Sequence, residues 1–264
     1  MNYKKLYEGC IETPSLWFKN SIQNIEQFQL NNDLHSYNIA TNQNLRLGKL
    51  VERFISFQLK QDKTVKIVAE NYQVQNEKLT IGELDCLFLI EQKPIHLEIV
   101  YKFYLYDESA GCTEIEHWIG PNRNDSMIQK LDKLKKKQLP LLYNKFTKPL
   151  LNSLKLNVDS VEQKVCFKAQ LFIPFNKKIS YNLINEDCIK GFYLKKKQLN
   201  SFENCKFYIP KKLDWLLEVH INVAWKEYPE FLNQVTEILD HKTAPMCWIK
   251  KPNGELLKCF VVWW

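Results

Sequence analysis

Apolar and polar positions change their period along the chain, and the first strongly regular stretch is helical. Over residues 46–60 apolar side chains recur every three or four positions without a proline, which predicts an amphipathic helix. Residues 13–30 begin with Thr13-Pro14 and continue amphipathically, so an earlier helix is predicted there. Residues 31–45 are polar and rich in asparagine, which indicates a loop between the two helices.

The period then changes to that of strands. Residues 65–74, 79–90 and 95–105 are rich in β-branched and aromatic side chains and predict three successive strands. The segment Glu91-Gln92-Lys93-Pro94 separates the last two, and its proline fits the end of a strand better than the interior. A tight hairpin is therefore the simplest connection between those two strands.

The rest of the chain carries further elements. Asp125 can cap a helix of about 126–139, which Pro140 would end, and a long loop over 106–124 precedes it. The later predicted elements are a strand at 165–175, a helix near 225–241 and a hairpin at 246–263. There is no internal repeat and no Ser/Gly linker. The pattern predicts one α/β domain, with an N-terminal helical segment 1–40, a core of about 41–175 and a C-terminal α+β elaboration 176–264.

Composition narrows the class of protein. The 264 residues are 45% hydrophobic and 25% charged, which is typical of a globular chain and not of a disordered one. Only seven glycines are present, and neither GxGxxG nor GxxxxGK[ST] occurs, which excludes the familiar glycine-rich phosphate loops. The net charge of +7 is compatible with a polyanionic partner and equally with a lysine-rich solvated surface.

The cellular location is predicted from the lack of recognisable targeting or membrane-spanning segments and from the pattern of cysteines. No signal peptide is recognisable, and no run of about 18 apolar residues exists, so no membrane span is expected. Eight cysteines occur without a CxxC pair, and Cys86 and Cys166 sit in apolar runs typical of buried free thiols. We therefore expect a cytoplasmic protein with reduced cysteines.

Candidate chemistry lies on the second and third predicted strands. Alternation places Glu83 and Asp85 on one face of the second strand, and His96, Glu98 and Lys102 on one face of the third. If paired residue numbers sum to about 185, Glu83 lies opposite Lys102 and Asp85 is diagonal to Glu98. A shift of the register by one residue would separate these groups onto opposite faces.

Such a patch of acids requires a compensating cation. Adjacent carboxylates repel one another unless a proton, a lysine or a metal neutralises one of them. Mg²⁺ or Mn²⁺ with oxygen ligands is the natural partner, and a nearby lysine can orient a water nucleophile. The pattern therefore favours metal-assisted phosphodiester hydrolysis, with Asp85, Glu98 and Glu83 as metal ligands and Lys102 as the catalytic lysine. The alternative for Lys102 is a salt bridge with Glu83 and no catalytic role.

These motifs resemble the PD-(D/E)XK nuclease superfamily, in which Gly82-Glu83-Leu84-Asp85, Glu98 and a nearby lysine have counterparts. The resemblance implies a restriction-endonuclease-like core, a central mixed sheet flanked by helices. It also implies an upstream helix acid that assists catalysis and metal binding, for which Glu52 is the match; the alternative is a solvated Glu52 paired with Lys49. The chain departs from the pattern at Val100, where the superfamily has its lysine, and Lys102 lies two residues further on the same face.

Most of the chain also resembles a bacterial family, the domain-of-unknown-function family 1853. That resemblance implies no established substrate. The matching stretches are spread over the chain: Thr13-Pro14-Ser15-Leu16, the core through Lys102-Phe103-Tyr104, Trp118-Ile119-Gly120-Pro121-Asn122, Lys133-Leu134 through Gln138-Leu139, Lys190-Gly191-Phe192-Tyr193, Pro210-Lys211-Lys212-Leu213-Asp214-Trp215-Leu216, and Cys259-Phe260-Val261-Val262.

The remaining candidates concern the substrate, which we expect to be DNA or RNA. Lys130 and Lys133 on the predicted helix could bind phosphates, although a solvated helix face is the alternative. Gln138 is expected to point inward, and Asn122 and Arg123 to sit at the mouth of the site. The last candidate is His96, for which a hydrogen-bonded strand residue is the alternative. The second functional hypothesis is an inactive nucleic-acid-binding or protein-interaction module on a nuclease fold. DNA versus RNA and the oligomeric state stay open.

Overall fold

Helix α2 (Leu47–Gln61) forms where the sequence predicts it, because its apolar stripe is buried while the opposite face stays polar. The structure is a computed structural model that describes residues 2–17, 21–38 and 45–264. By internal contacts the chain groups into two units. The first comprises the residues up to Tyr101 together with Gln129–Lys168, and the second comprises Lys102–Ile128 and Ala169–Trp264. The predicted core of 41–175 therefore includes segments of both units.

The three predicted strands are confirmed as β1 (Val65–Asn76), β2 (Leu79–Ile90) and β3 (Lys93–Tyr106). They pair as consecutive antiparallel neighbours. The turn between β2 and β3 contains only Glu91 and Gln92, both with positive φ. That conformation matches the twist of a two-residue hairpin and fixes its register.

The predicted helix at 13–30 is wrong. Helix α1 (Tyr3–Glu12) lies before it, and Thr13-Pro14 follows the helix end, because a residue before proline avoids the α conformation. Beyond it the backbone is extended and pairs with the strand β5 (Glu162–Pro174): Leu16 N–H donates to Phe167 O at 2.8 Å and Phe28 N–H to Val165 O at 2.7 Å. Long-range pairing thus replaces the local helix; residues 18–20 lie outside the described part. The predicted loop at 31–45 has no helix or strand over residues 31–38 and at 45, and its residues 39–44 lie outside the described part.

The predicted helix at 126–139 is only partly right. Helix α3 (Met127–Lys133) is followed by a π-helical turn (Leu134–Gln138) and a 3-10 turn (Leu139–Tyr143), so Pro140 lies inside the helical region instead of ending it. A short helix α4 (Lys148–Ser153) comes next. Gln138 is the last residue of the π turn, whose altered helical phase sets where that side chain points.

The second unit contains the later elements. In chain order they are β4 (Trp118–Ile119), β6 (Ile189–Lys195), β7 (Lys206–Tyr208), α5 (Tyr228–Asp240), β8 (Met246–Lys250) and β9 (Leu256–Val262). The predicted strand at 165–175, the helix near 225–241 and the final hairpin are confirmed by β5, α5 and β8–β9. Gly254 has a φ of +87° in the hairpin turn, a conformation that favours glycine.

The chain is a mixed α/β protein. In its described part nine strands are hydrogen-bonded in the order β1-β2-β3-β5-β6-β9-β8-β7, with β4 beside β3. The pairs β5–β6 and β6–β9 are parallel, and the other registered pairs are antiparallel. Cys86 and Cys166 are buried free thiols, as predicted. None of the described helices has the length and apolar composition needed to cross a membrane.

Candidate active site

The register of the β2–β3 hairpin brings two acids level with each other. The observed pairs run from Ile90↔Lys93 to Cys86↔Leu97, so paired residue numbers sum to 183 and not to the predicted 185. The two-residue turn causes this difference. Because the shift is an even number of residues, each side chain keeps its predicted face. Continuing the register by one pair places Asp85 level with Glu98.

The backbone pairing between β2 and β3 ends at Cys86, and the Asp85 side chain makes the next contact between the two strands. Its Oδ2 accepts a hydrogen bond of 2.8 Å from the Ile99 backbone N–H. A carboxylate thus occupies the position of a ladder carbonyl, and its second oxygen is left for other partners. This contact fixes Asp85 at the point where the two strands cease to pair.

Three acids converge here from two elements of the first unit. One carboxylate oxygen from each of Glu52 on α2, and Glu83 and Asp85 on β2, lies within 4.8 Å of the others. Burial, followed by the charge of Glu98, raises the pKa of Asp85 to about 8. Burial also raises the pKa of Glu52, and the nearby Lys49 only partly offsets that rise. Burial and neighbouring negative charge therefore both disfavour the ionised forms of these two acids.

Lys49 is the lysine that contacts these acids. Its Nζ lies 2.7 Å from Glu52, is hydrogen-bonded to Glu83, and donates to Asn71 Oδ1 at 3.0 Å. Burial lowers the pKa of Lys49, but its hydrogen bonds to the two acids outweigh that effect and the pKa is raised. Sequence reasoning noticed Lys49 only as a partner of Glu52, three residues away, and missed its contact with Glu83.

A buried chain of hydrogen bonds orients the carboxylate of Glu98. Glu98 and His96 have no exposed surface, and His96 Nε2 lies 3.1 Å from Glu98 Oε1. Gln163 Nε2 contacts both His96 Nδ1 at 3.0 Å and the Leu139 carbonyl at 2.6 Å. The carbonyl requires a donor, so the amide nitrogen faces both groups and His96 Nδ1 accepts. His96 therefore carries its hydrogen on Nε2 and donates it to Glu98.

Gln138 contacts the other oxygen of Glu98. Its Nε2 donates to Glu98 Oε2, while its Oε1 accepts a bond of 2.7 Å from Lys130 Nζ. Two predicted substrate residues, Gln138 and His96, thus flank Glu98, and Lys130 contacts the side-chain oxygen of Gln138. The amides and the imidazole together hold the carboxylate of Glu98 in one orientation.

A cleft of about 560 Å³ opens onto this cluster. Lys133, Lys136 and Lys137 line it together with Glu83 and Asp85. Lys136 is paired with Asp132 at 2.8 Å, whereas Lys133 and Lys137 form no ion pair with the described residues. The remaining lining residues are Ile81, Gly82, Gln138, Pro140, Leu141 and Asn144. Acids and free ammonium groups therefore face the same space.

Three predicted residues lie in the second unit, where each has partners of its own. Lys102 Nζ is 2.5 Å from Asp125 Oδ2, and Asn122 Oδ1 accepts from the Ala244 N–H at 2.8 Å. Arg123 is paired with Asp107 at 2.7 Å and lies 4.6 Å from the ring centre of Trp264. Their roles in catalysis and substrate binding stay predictions.

Comparison with known proteins gives one match. A family model described as a domain of unknown function, DUF1853, matches residues 10–262. Neither the curated proteins nor the solved structures gave a match. The model covers nearly all of the chain, and this protein therefore belongs to the DUF1853 family.

Proposed function

We propose that this protein is a metal-dependent nuclease that hydrolyses phosphodiester bonds in DNA or RNA on a restriction-endonuclease-like, PD-(D/E)XK core. The observation that carries the proposal is the convergence of Glu52, Glu83 and Asp85 within 4.8 Å beside a cleft that three lysines also line. Acids that approach this closely need a cation, and the lysines provide sites for the phosphates of the substrate.

The residues fit Mg²⁺ or Mn²⁺. Both ions prefer carboxylate oxygens, and Glu52, Glu83 and Asp85 offer one each from partly buried positions. Burial raises the pKa of Asp85 first, and the negative charge of Glu98 raises it further. When bound, such an ion would lower the pKa of a water molecule and offset charge on the phosphate. Glu98 lies next to this set and adds to its negative potential.

The protein's own groups orient the site. The backbone of Ile99 holds Asp85, and His96 and Gln138 hold Glu98, so neither acid can rotate freely. Lys49 is half-exposed and can donate to a phosphate oxygen beside Glu83. Lys49 is therefore a candidate for the role that the sequence assigned to Lys102, and both lysines belong in the test.

Activity measurements on matched variants test this proposal. The purified protein is incubated with DNA and RNA in Mg²⁺ or Mn²⁺, with Glu70→Gln as control because Glu70 lies on β1 and pairs with Lys60 outside the cleft. Asp85→Ala and Glu98→Ala should abolish cleavage, and the control should not. Cleavage that persists in both variants would exclude this site as its source. Lys49→Met and Lys102→Met then identify which lysine matters.

One observation favours the second hypothesis, a catalytically inactive nucleic-acid-binding module. Val100 occupies the usual lysine position, and Lys102 is paired with Asp125. An inactive site predicts nucleic-acid binding without turnover and without carboxylate-dependent Mn²⁺ binding. Titration of Mn²⁺ into wild-type protein and Glu83→Gln separates the two functions, because only a working metal site loses affinity in the variant.

A further inference from the structure

The cleft is lined by two chemically different kinds of group. Glu83, Asp85 and the lysines are charged, while Ile81, Pro140 and Leu141 supply apolar surface. Its volume of about 560 Å³ falls within the range of about 300–1,000 Å³ typical of sites for small organic molecules. A ligand that fills it must therefore carry both a phosphate and an apolar group.

A β-bulge places Ile81 in this cleft. The pairing of β1 with β2 shifts by one residue between Val74↔Gly82 and Gln75↔Thr80, which leaves Ile81 as the extra residue. Bulges next to active sites commonly redirect a side chain. Ile81 is 39% exposed, which is unusual for an isoleucine in a strand and indicates surface available to a ligand.

The wall behind Ile81 is closely packed. A Cβ atom at Gly82 would lie 2.7 Å from Leu141 Cδ2, so glycine permits the close approach of β2 to the 3-10 turn. Val74, Leu84 and Leu141 form a buried cluster there. The apolar lining of the cleft at Leu141 is therefore backed by a packed cluster.

A base-paired strand cannot use such a surface. A duplex presents phosphates and sugars on its outside, and its bases are stacked and accessible only at their edges in the grooves. An unpaired nucleotide can offer its phosphate to the charged groups of the cleft while its base contacts the apolar lining residues. We infer that the substrate is a single strand of DNA or RNA whose base contacts Ile81; this inference rests on the proposed function.

Binding of short fluorescent oligonucleotides, followed by anisotropy in Ca²⁺ to prevent turnover, tests the inference. The arms are single-stranded DNA, single-stranded RNA, a blunt DNA duplex and a DNA strand with abasic sites. We expect at least one single strand to bind about tenfold more tightly than the duplex, which corresponds to about 1.4 kcal/mol, because the base removes the apolar surface of Ile81 from water. Loss of the bases should remove most of that advantage.

Ile81→Thr tests the contact itself and keeps a β-branched side chain in the strand. It should weaken single-strand binding about three- to tenfold and leave duplex binding unchanged. Leu34→Thr is the matched control, since Leu34 is also exposed, at 46%, in the first unit but does not line the cleft. Unchanged far-UV circular dichroism verifies that both variants are folded.

The possible outcomes separate this inference from the proposed function. Duplex binding as tight as single-strand binding, or Ile81→Thr behaving like Leu34→Thr, overturns the inference. If Mn²⁺ binding still depends on Glu83 in that case, the metal site stands and only the substrate class is wrong. A single-strand preference that Ile81→Thr removes, in a protein without Mn²⁺ binding, supports the base contact while refuting metal-dependent hydrolysis.

Discussion

Replacing Asp85 by asparagine should stabilise the metal-free protein. The pKa of Asp85 is raised from 3.8 to about 8, first by burial and then by the charge of Glu98. In the unfolded chain the group ionises near its ordinary pKa, so between about pH 4 and pH 8 the folded state binds more protons than the unfolded state. The free energy of unfolding therefore falls as the pH rises through this window. The backbone N–H of Ile99 can still donate to the asparagine oxygen, so the substitution removes only the charge.

The magnitude follows from the same shift. At pH 7 the folded state retains the proton, whereas the unfolded state is roughly three pH units above its pKa and has lost it. Each pH unit contributes about 1.36 kcal/mol, so the upper limit is about 4 kcal/mol. Interaction with Glu98 and partial solvent access reduce this value. We expect Asp85→Asn to gain about 1–3 kcal/mol at pH 7, and little near pH 4 where both states are protonated.

Urea denaturation in EDTA at several pH values from 4 to 8 measures this gain. Glu52 also has a raised pKa and contributes the same trend to both proteins, so the difference between them isolates Asp85. Asp159→Asn is the control, because Asp159 is exposed in the first unit. If Asp85→Asn is less stable than wild type at pH 7, or if its gain does not grow from pH 4 to pH 8, the reasoning from burial and charge is refuted.

Three further predictions concern lysines of the first unit. Lys49→Met should lower the free energy of unfolding by about 1–2 kcal/mol without metal, because Glu52 and Glu83 lose their counterion. It should also increase the thermal stabilisation by Mn²⁺. An unchanged Mn²⁺ effect would contradict the idea that Lys49 and the metal share one site. The double variant Lys133→Ala/Lys137→Ala should lower the salt slope of oligonucleotide binding by roughly 0.7–0.9 per lost contact, whereas Lys135→Ala, outside the cleft, should leave it unchanged. Lys168→Met should cost about 2–4 kcal/mol in urea denaturation, because its buried Nζ donates to two backbone carbonyls at the C-terminal end of α1, those of Ile11 and Thr13; a loss below about 1 kcal/mol would contradict this.

The sequence by itself determined the helices and strands that bury one regular apolar face. Helix α2 and strands β1 to β3 lie where apolar periodicity predicts them, since each buries its own regular face. Alternation alone also placed Glu83 and Asp85 on one face of β2. The prediction that these acids share a face with Glu98 on β3 survived an error in register. The error was two residues, and a strand repeats its faces every two residues.

The tertiary structure decided which elements pair and which charges meet. The segment at 13–30 is amphipathic, yet its backbone hydrogen-bonds to β5, about 140 residues later in the chain. The hydrogen bond from Lys49 to Glu83 joins residues 34 positions apart, and that from Gln138 to Glu98 joins residues 40 apart. Lys102 lies on the predicted face but has Asp125 as its partner. Local periodicity fixes the face on which a side chain lies. Its partner depends on strand register, on the π turn that contains Gln138 and on the packing of α2, which form through contacts distant in sequence.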